Sequence, residues 1–107
     1  MQLGSVRGDL NNVSEPALVL HPKCLLTELD DGTGVVLNLE SKFYHTLNAT
    51  AVALWRGIEQ GIAGERALAR LLVSQFEVEE TQALRDVKAA LLEFEREGFL
   101  PQSAPRP

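Results

Sequence analysis

The sequence has little of three things that would narrow its function: cysteine, basic charge and long apolar runs. Among its 107 residues Cys24 is the only cysteine, so an internal disulfide is excluded and a reducing compartment fits. Ten Lys and Arg stand against fifteen Asp and Glu, giving a formal charge of −5, whereas nucleic-acid binders normally carry a basic face. This balance predicts no nucleic-acid partner.

The apolar stretches are only a few residues long, far below the ~20 residues that cross a bilayer. Residues 1–16 also lack the basic start and the apolar core of an export signal. We therefore predict no membrane partner and a cytoplasmic location. What is present is an ordinary globular composition, 45% hydrophobic and 23% charged, which predicts a folded chain.

The length allows one domain with one core. Residues 1–16 mix Gly, Asn, Ser and Pro without periodic apolar positions, and residues 102–107 are polar and rich in Pro. Both are predicted to be flexible segments around a domain at 17–101. The apolar run at 18–20 is a candidate for an additional short strand. Such a strand could pair with a second copy, which leaves a homodimer as one option.

The first half of the domain predicts a three-stranded antiparallel meander. Residues 24–29 lead into the turn signal DDGTG at 30–34, which is followed by a β-branched run at 35–39. Residues 40–42 allow a second tight turn into 43–47, where aromatic and β-branched residues favour an extended chain.

The period of two in a strand assigns its side chains to faces. In the second strand Val35, Leu37 and Leu39 share one face, and we expect that face to be the core face. In the third strand the rings of residues 43–45 cannot all face inward. At least one ring is therefore expected at the surface, where it could border a binding groove.

The second half predicts three helices, at about 49–60, 64–75 and 79–97. Asn48 is a favourable N-cap residue, and Gly98 follows the end of the last helix. The order βββααα predicts an α+β, winged helix-turn-helix-like fold. The apolar residues on one face of each helix are Ala51, Leu54, Trp55 and Ile58, then Leu68, Leu71, Leu72 and Phe76, then Leu84, Val87, Leu91 and Phe94.

No constellation of residues suited to catalysis is present. His21 and His45 are 24 positions apart with no metal-binding spacing, and the glycines within 32–34 connect two strands where a phosphate loop would lead into a helix. Cys24 is expected to be a small buried hydrophobe and Trp55 a core anchor. We therefore predict no enzymatic activity, no metal and no cofactor.

A block in the middle of the chain carries a signature. Residues 39–48 read LESKFYHTLN, and Ala51, Leu54 and Trp55 follow. A valine-rich strand, a Tyr, a Leu-Asn pair, a small residue and an apolar-Trp pair in this order resemble the coenzyme PQQ synthesis protein D family. Its members are also called recognition elements for ribosomally made, modified peptides (RiPPs).

The later half of the chain also resembles this family in its spacing of apolar positions, its Asp-Val pair and its terminal Gly-apolar-Leu. The resemblance covers about residues 24–100. The matching residues of the later half are Leu68, Leu71, Phe76, Val78, Ala83, Asp86, Val87, Leu91, Gly98, Phe99 and Leu100.

The resemblance implies a winged-helix-like fold of three antiparallel strands and three helices that binds the leader segment of a ribosomally made precursor peptide. In the family the leader is added as a strand beside the third strand and packs against the third helix. The candidate peptide-binding residues at the matching positions are Lys42, Phe43, Tyr44, His45, Thr46, Leu84, Val87, Lys88 and Leu91.

The resemblance also implies a free-standing, non-catalytic chaperone that presents the peptide to a separate modifying enzyme: a radical S-adenosylmethionine (SAM) protein, a peptidase or a cyclase. The residues favour the same mechanism, because a third strand at the sheet edge exposes N–H and C=O groups that an extended peptide can satisfy. Arg85 and Lys88 could meet acidic leader residues, although solvated surface charge explains them equally well.

A different interpretation of the same fold class is a winged-helix DNA-binding regulator, in which a helix enters the major groove. The charge argues against it, since residues 64–76 carry only Arg66 and Arg70 as basic groups. A small cytosolic enzyme is a third hypothesis, and no group of residues supports it.

Overall fold

The computed structural model describes residues 18–101, in which three strands are followed by three helices. The predicted α+β fold with the order βββααα is confirmed. Within this range, no helix combines the length and the apolar character needed to cross a membrane. The strands are β1 (Cys24–Glu28), β2 (Gly34–Asn38) and β3 (Tyr44–Leu47), and the helices are α1 (Ala49–Glu59), α2 (Glu65–Gln75) and α3 (Glu80–Arg96).

Three expectations concern the ends of the chain. The flexible segments predicted at 1–16 and 102–107 lie outside the described residues. Residues 18–20 form no strand, so the expectation of an additional strand there is wrong. Their two leucines instead lie half-buried against the core. The chain then reaches His21, whose N–H donates to the carbonyl of Phe99 at 2.7 Å.

Two tight turns set the meander, in which β2 pairs antiparallel with β1 on one side and with β3 on the other. Between β1 and β2, the carboxylate of Asp31 accepts hydrogen bonds from the N–H and the hydroxyl of Thr33, at 3.0 and 2.6 Å. Between β2 and β3, the side-chain oxygen of Asn38 accepts from the N–H groups of Glu40 and Ser41. Such side-chain bonds stabilise the turns locally.

The hydrogen bond from the Thr33 hydroxyl, followed by that from its N–H, lowers the pKa of Asp31. Because the pKa of Asp31 is lower in the folded state than in the unfolded state, its hydrogen bonds with Thr33 stabilise the fold when the carboxyl group is ionised. This stabilisation is fully present above the unfolded-state pKa and is lost as the pH falls through the folded-state pKa. We expect Thr33→Val to raise the Asp31 pKa toward its ordinary value, measured by NMR titration of the carboxyl carbon. An unchanged pKa would exclude the hydroxyl as the cause.

The core face of β2 is opposite to the face expected from the sequence. Val36 is fully buried, whereas Leu37 and Leu39 are each 38% exposed and Val35 is half-buried. The expectation that Val35, Leu37 and Leu39 form the core face is therefore wrong.

The reason is the close packing of α1 on the sheet at Gly34. A Cβ atom at Gly34 would lie 3.0 Å from a methyl group of Val52 in α1. Because side chains alternate along a strand, Gly34 and Val36 share the face that the helices cover. The opposite face keeps an exposed row of three cross-strand neighbours, Leu25, Leu37 and Tyr44.

The core lies between the inner face of the sheet and the helices. Trp55 is fully buried, and its ring makes edge contacts with Phe94 and Phe99 at centroid distances of 5.6 and 5.3 Å. Its predicted role as a core anchor is confirmed. Gly98, with a φ of +84°, ends α3 and returns Phe99 and Leu100 to the core.

Two local predictions are confirmed as well. Asn48 is the N-cap of α1, and its side-chain oxygen accepts a hydrogen bond from the N–H of Ala51 at 2.8 Å. Cys24 is a buried free cysteine on the inner face of β1. Burial, and after it the charge of Glu40, raises the pKa of its thiol. A thiol held in this state is a poor nucleophile.

Candidate functional site

An open groove with a volume of about 350 Å³ runs between β3 and α3, and we call it the β3–α3 groove. One wall consists of β3 and the start of α1, and the other wall consists of α3. The strand side is lined by His45, Thr46, Leu47, Asn48, Thr50 and Ala51. The helix side is lined by Asp86, Ala89, Ala90, Glu93 and Phe94.

The edge of β3 exposes backbone groups beside this groove. The N–H of Asn38 donates to the carbonyl of Phe43 at 2.9 Å, which sets the alternation of hydrogen bonds along β3. The backbone of His45 therefore faces β2, whereas the N–H and C=O groups of Tyr44 and Thr46 face away from it. Within residues 18–101, no strand pairs with this side of β3. An extended segment could pair with these four groups.

Small residues shape the helix wall of the groove. Ala89 and Ala90 lie between Asp86 and Glu93, which are two helical turns or about 10.5 Å apart along α3. Because both side chains are only methyl groups, they leave space in the middle of the groove. A side chain that enters the groove therefore finds an apolar floor with a carboxylate at either end.

His45 faces two carboxylates of α3 from the inner side of β3. Its Nε2 lies 3.2 Å from Glu93, and its Nδ1 lies 3.6 Å from Glu97. One ligand atom from each residue lies within 4.8 Å of the others, a grouping that could hold a metal ion. A single ion would need both carboxylates on the side of one ring nitrogen, whereas Glu93 and Glu97 each face a different nitrogen of His45.

The fixed charges that line the groove are acidic. Asp86 accepts a hydrogen bond from the side-chain amide of Gln82 at 2.8 Å. Glu93 has Arg96 at 3.3 Å in addition to His45. No Lys or Arg is among the described residues that line the groove. The groove therefore presents a negative potential to a ligand.

The β3 part of the candidate peptide-binding set lies at or beside the groove. His45 and Thr46 line it. Lys42 is in the preceding turn, with a φ of +69°. Phe43 and Tyr44 are 77% and 72% exposed, which confirms that the three rings at 43–45 do not all face inward.

The α3 part of that set lies elsewhere on the helix. Val87 is fully buried in the core, and Leu84 and Leu91 are half-buried against it. Leu84 and Lys88 are each two positions from Asp86, so they lie about 160° away around the helix. The helix residues at the groove are instead Asp86, Ala89, Ala90 and Glu93.

The sequence contains a signal for that wall, although a weak one. Asp86, Ala89, Ala90 and Glu93 follow the spacing i, i+3, i+4 and i+7, so they share one helix face. Acidic and small residues on one face are also typical of a solvent-exposed helix surface. The spacing alone therefore does not show whether this helix face borders a groove or is ordinary surface. The position of β3 beside it shows that it borders a groove.

A second concavity of about 330 Å³ lies beside the β1–β2 turn. Its charges are paired with each other: the Arg56 guanidinium lies 2.6 Å from Glu28 and 2.8 Å from Glu59. The hydrogen bond to Glu28, followed by that to Glu59, raises the pKa of Arg56. Because Glu28 and Arg56, the charged residues that line this concavity, are paired with each other, we take the β3–α3 groove as the candidate site.

Comparison with known proteins shows which family the domain resembles. A family model described as coenzyme PQQ synthesis protein D (PqqD) matches residues 33–100. A solved structure of a lasso peptide synthetase B1 complexed with the leader peptide is 29% identical, with a TM-score of 0.70, and the match covers 81% of this chain and 100% of that chain.

A second solved structure, TbiB1 in complex with the TbiA(beta) leader peptide, has a TM-score of 0.69. The match covers 80% of this chain and 98% of that chain. At 19% identity, this likeness concerns the fold alone. No curated protein matches the chain.

Proposed function

The chain belongs to the coenzyme PQQ synthesis protein D (PqqD) family, and from this premise we propose that it binds the leader segment of a ribosomally made precursor peptide. The family resemblance noted in the sequence is thereby confirmed. In this family the domain binds a peptide and catalyses no reaction. The protein would present its peptide to a separate modifying enzyme, such as a radical SAM protein, a peptidase or a cyclase.

The observation that carries this proposal is the free edge of β3 beside an open groove. Peptide recognition by strand addition needs an exposed sheet edge for the backbone and pockets for alternate side chains. The edge offers the N–H and C=O groups of Tyr44 and Thr46, and the β3–α3 groove offers space for side chains. Both solved structures described above are named as complexes with a leader peptide.

In the proposed complex the leader lies along residues 42–46 as a fourth strand. Its backbone pairs with the outward groups of Tyr44 and Thr46. Alternate side chains then point toward α3, because side chains of a strand alternate between faces. On the helix side, these side chains contact residues that line the groove: Asp86, Ala89, Ala90 and Glu93.

The test is an NMR titration of the ¹⁵N-labelled protein with the leader half of a precursor peptide encoded beside its gene. We expect saturable amide shifts concentrated in residues 43–47 and 86–93. A peptide of the same composition in scrambled order is the control and should leave these amides unchanged. A folded sample without saturable shifts, or with shifts confined to another surface such as α2, would contradict the proposed site.

A further inference from the structure

We propose that the β3–α3 groove selects leader peptides that place a lysine or arginine side chain beside Asp86 and Glu93. This inference rests on the proposed function and deepens it, because it names the chemistry that the groove recognises. It differs from one of the two interpretations of Arg85 and Lys88 in the sequence, in which these residues meet acidic leader residues. Neither of these two basic residues lines the groove.

Asp86 lies at one end of the helix wall of the groove. Its carboxylate is half-buried, and its hydrogen-bond donor is the neutral amide of Gln82. Among residues 18–101, no lysine or arginine forms an ion pair with Asp86. The carboxylate at this end of the groove therefore has no direct cationic partner among these residues, and Arg85 is connected to it only through Gln82, to which its guanidinium donates at 3.2 Å.

Glu93 lies at the other end of this wall. Its basic neighbour Arg96 has a side chain that is 64% exposed, and the pair spans one turn of α3. Ion pairs of this exposed kind contribute little to stability, so a ligand cation can compete with Arg96. The other neighbour, His45, is a cation only when it is protonated.

The spacing of the two carboxylates suits a strand laid along β3. Side chains on one face of a strand are about 6.6 Å apart, and Asp86 and Glu93 are about 10.5 Å apart along α3. One or two side chains of the leader can therefore point at this stretch of the helix. Ala89 and Ala90 provide an apolar floor for the aliphatic stem of a lysine or arginine, while its charged end reaches a carboxylate.

Other residue types fit this wall less well. An acidic side chain would meet two carboxylates of the same sign, and an apolar side chain would leave Asp86 desolvated without a new partner. The walls also reduce solvent screening, so the attraction for a cation is stronger than on open surface. We expect one well-placed basic residue to change the affinity about tenfold.

The test selects random peptides displayed on phage against three immobilised forms of the full chain. These forms are the native protein, the variant Asp86→Asn/Glu93→Gln, and the control variant Glu77→Gln, which removes one carboxylate from the exposed loop between α2 and α3. We expect lysine and arginine to be enriched at one fixed position with the native protein and with the control. With the groove variant, that enrichment should fall to the level of the unselected library.

The outcomes separate this inference from the proposed function. Failure to enrich any peptide over a blank surface would contradict peptide binding itself. Enriched peptides without a fixed basic position, or an unchanged preference in the groove variant, would overturn the charge selectivity alone.

A folding defect in the double variant would not obscure the answer. Asp86→Asn keeps the side-chain oxygen that accepts from Gln82, so it serves as the milder variant. In parallel, the basic residue of a selected peptide is replaced by norleucine, which keeps the stem and removes the charge. We expect about tenfold weaker binding to the native protein, and equal binding would overturn the inference.

Discussion

Replacing Trp55 by alanine is expected to bring the domain close to unfolding at room temperature. The indole is fully buried, contacts the rings of Phe94 and Phe99, and donates its N–H to Glu59 at 3.1 Å. Loss of a buried Trp or Phe side chain to alanine costs about 3–5 kcal/mol, because the cavity refills only in part. Domains have a free energy of unfolding of about 5–15 kcal/mol, and small ones lie at the low end.

Urea denaturation followed by far-UV circular dichroism measures this loss without needing the tryptophan signal. The matched control is Leu92→Ala, since Leu92 is a large hydrophobic residue on α3 that is 62% exposed. It should change the free energy of unfolding by less than about 0.5 kcal/mol. A loss below about 1 kcal/mol for Trp55→Ala would contradict the packing described for the core.

Replacing Ala89 by tryptophan is expected to weaken leader binding tenfold or more, corresponding to about 1.4 kcal/mol. Ala89 lines the β3–α3 groove, and its side chain is exposed rather than packed in the core. An indole there would occupy the space between α3 and the edge of β3. The cost to the fold should be small, because exposed helix positions change stability by about 0.7 kcal/mol or less through helix propensity.

The control places the same side chain on the neighbouring position. Lys88 is also exposed on α3, but it lies about 100° around the helix from Ala89 and does not line the groove. Lys88→Trp should therefore bind the leader within about twofold of the native protein. Isothermal titration calorimetry with the leader peptide compares the two variants. Equal affinities would show that the groove is not the binding surface.

Much of the fold was predictable because turn and cap residues act locally. The DDGTG segment at 30–34 indicates a hairpin from its own chemistry, and Asp31 and Thr33 make the bonds that such a turn needs. Asn48 likewise caps α1 with its own side chain. Interactions between residues two or three positions apart require no knowledge of the rest of the fold.

The core face of β2 was not predictable from alternation, because β2 has hydrophobic residues on both faces. Val35 and Leu37 alternate with Val36, so the period of two gives no preference between the faces. The close approach of α1 at Gly34 decides the question, and that is a tertiary contact. A glycine between β-branched residues was the available signal for such a contact.

The groove likewise depends on contacts between distant parts of the chain. The family resemblance implied residues of β3 and α3, and two of the implied α3 residues, Leu84 and Val87, pack against the core and do not line the groove. The contacts of His45 with Glu93 and Glu97 join positions about fifty residues apart in the chain. No short-range sequence pattern indicates that these residues meet, so the acidic character of the groove was visible only in the structure.

The shortness of the β3 edge has a kinetic consequence. Two outward residues offer four hydrogen bonds, and at about 0.5–1.5 kcal/mol net each they supply roughly 2–6 kcal/mol. With a dissociation constant of ~1 mM from the backbone alone and association at ~10⁶ M⁻¹s⁻¹, a peptide would leave within about a millisecond. In the proposed complex, residence time beyond a millisecond would therefore come from the side chains in the groove, and exchange of one leader for another would be fast when those contacts are poor.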